Sequence, residues 1–159
     1  MMTALTPRNL IPTFGFVFAL AAPAAATEAK VENYSNDVVY VAQADAKGHV
    51  QSSGWTAAKP NETVVIKAAD GADLHLRVQD KGGNEITFPG YKTFHNFVTH
   101  AEPFSVKQAP DDPAVWVLKH GEGLAQSHNM KGGDKLPAGW SDKRYFEVGK
   151  GTHKLEIKP

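Results

Sequence analysis

The sequence predicts an all-β protein, an antiparallel β-sandwich or small barrel with a long irregular loop near the C-terminus. Three observations carry this. Short segments dense in Val, Ile, Phe, Trp and Tyr recur along the chain, and these residues suit a pleated, half-buried surface. Turn residues separate them at Lys47-Gly48, Pro60-Asn61, Asp70-Gly71, Lys81-Gly82-Gly83-Asn84, Pro89-Gly90 and Gly149-Lys150-Gly151. No segment beyond the first 26 residues carries an apolar stripe of helical period.

Residues 1–26 read as a cleaved signal peptide. Arg8 supplies the positive start, Leu10 to Ala22 the apolar run, and Ala24-Ala25-Ala26 the small-residue cleavage site. Pro12 interrupts that run, which is far shorter than the roughly 20 apolar residues a bilayer-spanning helix needs. The expected product is a single β-domain over 27–159, periplasmic or secreted, with no stable membrane anchor. Strands are expected at Lys30 to Asn33, Val38 to Ala42, Val50 to Trp55, Thr63 to Lys67, Leu74 to Gln79 and Ile86 to Phe88. Further strands are expected at Thr93 to Val98, Phe104 to Lys107, Val115 to Lys119, Arg144 to Val148 and His153 to Lys158.

The clearest alternation is Leu74, Leu76 and Val78 against His75, Arg77 and Gln79, which predicts one core face and one wet face. Leu155 and Ile157 repeat it, with Lys154, Glu156 and Lys158 outward. The prolines of Ala109-Pro110-Asp111-Asp112-Pro113 lack backbone donors, so this stretch is a corner or a sub-boundary. His120 to Trp140 holds five glycines and a proline without clear period, and predicts the long loop.

The charge is balanced, 17 basic against 17 acidic residues, and loss of Arg8 with the signal leaves 16 against 17. Nothing in that balance attracts nucleic acid or anionic membrane. The chain has no cysteine, so thiol nucleophiles, thiolate metal sites and disulfides are all absent.

Several short motifs recur in a recognisable order: Asn33-Tyr34-Ser35, Val38-Val39-Tyr40-Val41-Ala42, Ser53-Gly54-Trp55, Pro60-Asn61-Glu62-Thr63, Leu74-His75-Leu76-Arg77-Val78 and Phe104-Ser105-Val106. On these, residues 31–106 resemble the bacterial domain of unknown function family 1036. The resemblance implies an exported, mostly β domain with no assigned activity, and it supplies no catalytic residues.

No Gly-x-Ser-x-Gly elbow, His-Glu-x-x-His helix, Gly-x-Gly-x-x-Gly turn or phosphate loop is present. The reading therefore favours a binding or structural module over an enzyme, with a protein, a glycan or a metal ion as partner. Histidine is the chemistry that remains, and imidazole with Met or carboxylate suits copper or zinc. The first candidate set is His120, His128 and Met130, gathered by the expected loop. The second is His95, His100 and Glu102. An unbroken strand places His95 and His100 on opposite faces, with His100 and Glu102 on one. His75 reads as a surface residue beside Arg77. Trp55 and Trp140 are candidate ligand-binding aromatics. For Trp55 the structural expectation is packing across the sandwich.

Overall fold

A computed structural model describes residues 26–47, 49–69 and 71–159. The expected signal peptide therefore lies outside the described residues, except for Ala26. The fold is all β. Its strands are β1 (Glu28–Asn33), β2 (Val39–Lys47), β3 (His49–Ala58), β4 (Glu62–Lys67), β5 (Asp73–Gln79) and β6 (Glu85–Ile86). They continue with β7 (Phe94–His100), β8 (Phe104–Gln108), β9 (Val115–His120), β10 (Gln126–Lys131), β11 (Trp140–Val148) and β12 (Thr152–Ile157). Among the described residues no helix is long and apolar enough to cross a membrane.

A small sheet has the order β12-β1-β4, with β1 and β12 parallel. All other pairings are antiparallel, in a large sheet ordered β10-β9-β8-β3-β2-β5-β11-β7 with β6 on β5. The small sheet covers one face of the large one. Ala29, Val31, Ile66, Leu155 and Ile157 from the small sheet meet Val39, Val41, Leu74, Leu76, Val78, Phe146 and Val148 from the large one. Each fully buried Leu or Val here contributes roughly 1.5–3 kcal/mol relative to exposure.

The large sheet also curls on itself. Its β7 edge reaches back to β3, where Ser52 Oγ donates to Val98 O at 2.9 Å and Trp55 Nε1 donates to His100 O at 2.9 Å. This encloses a second core of Ala42, Ala44, Phe97, Phe104, Val106, Leu118, Trp140 and Tyr145. Gly54 is needed there, because a Cβ at that position would lie 2.7 Å from Phe104 Cε1 and 3.0 Å from Ala42 Cβ.

The curl overturns the expected wet face of β5. His75 and Arg77 are only 3% and 6% exposed. Ala44 and Ala42 stand directly opposite them on β2, and these small side chains leave room for the two long polar ones. His75 is accordingly a buried residue, and burial, then the neighbouring His95, holds its imidazole below the usual range.

Two further outcomes concern the C-terminal third, the first in agreement with the sequence and the second not. The 109–113 stretch is a corner, since it turns between β8 and β9 within one sheet, closed by Ala109 N–H on Val115 O at 2.8 Å. The segment expected to be wholly irregular contains a 3-10 turn at Glu122–Leu124 and strand β10, which leaves 132–139 as its loop.

Candidate functional site

β9 ends in His120 and β7 ends in His100, the latter opposite Trp140 of β11. The bend between β7 and β8 carries Glu102. The antiparallel pairing of β8 with β9, Phe104 opposite His120, brings the end of β9 beside this bend. The His100 and His120 rings stack with centroids 4.1 Å apart and planes 17° apart. His128, from the neighbouring strand β10, stands parallel to His120 at 6.1 Å and 4°. Trp140 is edge-on to His100 at 4.9 Å and to His120 at 5.7 Å.

The polar contacts are specific. Glu102 Oε2 lies 3.1 Å from His120 Nδ1, and Glu102 N–H donates to His100 Nδ1 at 3.0 Å. The second bond fixes the His100 tautomer, with its proton on Nε2. Burial, then the charge of a protonated His120, pushes the His100 imidazole down, and Glu102 opposes the shift. One ligand atom from each of His100, Glu102 and His120 lies within 4.8 Å of the others. His100 and His120 are buried, while Glu102 and His128 are exposed.

Gly139 forms the back of this group. Its φ is +88°, and a Cβ there would sit 2.7 Å from His100 Nε2. Gly139→Ala is therefore expected to cost about 1–2 kcal/mol from the left-handed backbone alone, with further strain at His100. Urea unfolding checks the energy, and a shift of the His100 ring resonances in NMR checks the displacement.

The first candidate set divides. His120 and His128 stand together, but Met130 is half-buried on β10 opposite Trp116, against the second core. His128 and Met130 share a face of β10, but Met130 is packed against the second core while His128 is exposed. Met130 instead lines an open, mainly apolar cleft of about 290 Å³ with Phe97, Val98, Val106, Trp116 and Leu118.

The second set divides along β7. The strand is unbroken from Phe94 to His100, and the exposed His95 meets His75 while His100 meets His120. His100 and Glu102 do come together. Trp140 is buried, its ring taken up by His100, His120 and Phe104, so it walls the imidazole group. Trp55 is half-buried against Phe104 at 5.9 Å and holds His100 through its backbone oxygen, so it packs inside the curled sheet and not between the two sheets.

Fold and site together define an all-β module with imidazoles at the mouth of a curled sheet. No protein-family model, curated protein or solved structure matches the chain.

Proposed function

We propose that this protein is an exported, non-enzymatic β-module that binds a transition-metal ion, zinc or copper(II), through His120, Glu102 and His100, with His128 beside them. The carrying observation is that ligand atoms of His100 and Glu102, from the end of β7 and the bend after it, lie within 4.8 Å of that of His120, from the end of β9. In a tetrahedral site with bonds of ~2.0–2.1 Å, two donors lie ~3.3 Å apart. His120 Nδ1 and Glu102 Oε2, at 3.1 Å, already have that spacing. His100 joins only by releasing the Glu102 N–H bond, so His120 and Glu102 carry most of the affinity. The donor set is nitrogen and oxygen with no sulfur, which favours zinc and copper(II) over copper(I). The export reading rests on the Arg8 to Ala26 pattern.

A second reading keeps the module and changes the ligand to a small apolar molecule in the cleft of Met130 and Trp116, favoured by that cleft's apolar lining. One set of titrations with Zn(II) and Cu(II) separates the two. His120→Ala and Glu102→Gln are each expected to weaken binding at this site by about ten-fold or more, since even outer-shell losses cost 10–100-fold. Met130→Ala is expected to leave it unchanged. Affinities indifferent to His120 and Glu102 would sink the metal reading.

A further inference from the structure

We propose that His75, His95 and Glu147 form a second, independent site for a divalent transition-metal ion, on the opposite face of β7 from His100. The strand register builds it. β11 lies between β5 and β7; on it Glu147 stands directly opposite His75, and Tyr145 directly opposite His95. Glu147 and Tyr145 are two apart and share a face, so Glu147 stands beside His75 and diagonally from His95, and the two histidines reach over β11 from either side. The imidazole rings meet edge to face, 4.9 Å apart at 89°. One ligand atom from each of the three residues lies within 4.8 Å of the others.

The state of His75 points to a ligand. The residue is 3% exposed and its Nδ1 lies 3.3 Å from Asp73 O, a carbonyl that only accepts, so Nδ1 carries the proton. Nε2 is then a bare lone pair, and it is buried with no hydrogen-bond partner. Leaving such an atom unpaired costs about 1–3 kcal/mol, and native interiors rarely tolerate it without a function. An imidazole oriented by a backbone carbonyl through one nitrogen, with the other free, is the arrangement metal-binding histidines adopt.

The rest of the site fits an incoming ion. His95 is exposed and Glu147 half-buried, so the two movable donors lie on the solvent side while the fixed one lies inside. Drawing donors from within 4.8 Å to the ~3.3 Å of a tetrahedral site asks for movement of ~1.5 Å, within reach of those two side chains. The Phe97 ring, 5.0 Å from that of His75, walls the inner side and excludes water from the buried donor. No residue is shared with the His100, Glu102 and His120 group, so the proposal stands or falls separately from the function proposed above.

The test titrates the purified full chain with Zn(II), and with Co(II) as a spectroscopic probe, in a His120→Ala/Glu102→Gln background. One equivalent of metal is expected to bind there, with a shift of the His75 Nε2 resonance in long-range nitrogen NMR. His95→Ala or Glu147→Gln, both at accessible positions, should weaken that binding about ten-fold or more. Circular dichroism and the unfolding midpoint show that each variant is folded. No metal bound by the folded background protein, or binding unmoved by both substitutions, overturns the proposal. Two equivalents retained in the background would overturn the first site instead, and His95→Ala would still decide this one.

Discussion

Asn33→Ala is expected to destabilise the protein by about 3 kcal/mol, one of the largest single-residue effects outside the apolar cores. Asn33 ends β1 in the small sheet and is fully buried. Its Nδ2 donates to Asp37 O at 2.7 Å and to Ala58 O at 2.9 Å. Its Oδ1 accepts from Ser35 N–H at 3.0 Å and Ser35 Oγ at 2.7 Å. Both amide hydrogens and both oxygen lone pairs are thus used, and the Ala58 bond ties the small sheet to β3 of the large one. Truncation strands the Ala58 carbonyl in the interior, and a buried unpaired acceptor costs more than the net worth of one bond.

Asn33→Asp sharpens the test. A carboxylate accepts only, and it would face the Asp37 and Ala58 oxygens, so the protonated form is the one the fold prefers. The introduced carboxyl would have a folded pKa above its unfolded one. Stability of that variant should be highest in acid and fall as pH rises through the folded value. Guanidinium unfolding followed by Trp fluorescence, at acid and neutral pH, measures both effects. A loss under about 1 kcal/mol for Asn33→Ala would contradict the account.

The same residue shows a limit of what the sequence made legible. Asn33-Tyr34-Ser35 stood out only as one of the motifs of the family resemblance, and the turn in which Asn33 Oδ1 accepts from Ser35 was not read from it. The strands with one apolar stripe were readable for a local reason. β12 places Leu155 and Ile157 inside and Lys154 and Glu156 outside, as alternation requires. β10 was not readable, because Gln126–Lys131 is exposed at every position but Met130 and carries no stripe. Its extended form is imposed by pairing with β9, a tertiary effect that composition does not encode. The polar row of β5 misled for the opposite reason. His75 and Arg77 look wet by alternation, yet the sheet curls over them.

The candidate site divides along the same line. His120 and His128 were grouped because both fell in the expected loop, whereas the β9–β10 hairpin that brings them together was not read. His100 and Glu102 were noticed as a pair, but their junction with His120 depends on the pairing of β8 with β9. His75, His95 and Glu147 depend wholly on the strand order β5-β11-β7, and no local pattern announces a strand order. Histidine content was the usable signal, and topology decided which histidines meet.

Arg77 marks how polar the enclosed face is, and it carries the other large effect. Glu85→Ala is expected to cost about 2–3 kcal/mol, whereas Arg77→Met is expected to cost less than about 1 kcal/mol. The guanidinium side chain is 7% exposed. It donates to Gln79 Oε1 at 3.1 Å, Arg144 O at 3.3 Å and Gly83 O at 3.4 Å, while Glu85 Oε2 lies 3.9 Å from its Nη1. Glu85 also holds Arg144 on the surface at 3.0 Å. Removing the carboxylate leaves a buried cation with only neutral acceptors, the costly half of a buried pair. Glu85 keeps 20% exposure and the separation is long, so the loss falls below the 3–5 kcal/mol of a fully buried pair. Methionine removes the charge and keeps most of the volume, so the cation's desolvation cost disappears with its attraction. Chemical denaturation of both variants compares them directly. If Arg77→Met were as damaging as Glu85→Ala, the guanidinium would be stabilising the fold in its own right. Its place beside His75 on the inner face of β5 would then reflect the packing of the curled sheet and not a charge that the sheet merely tolerates.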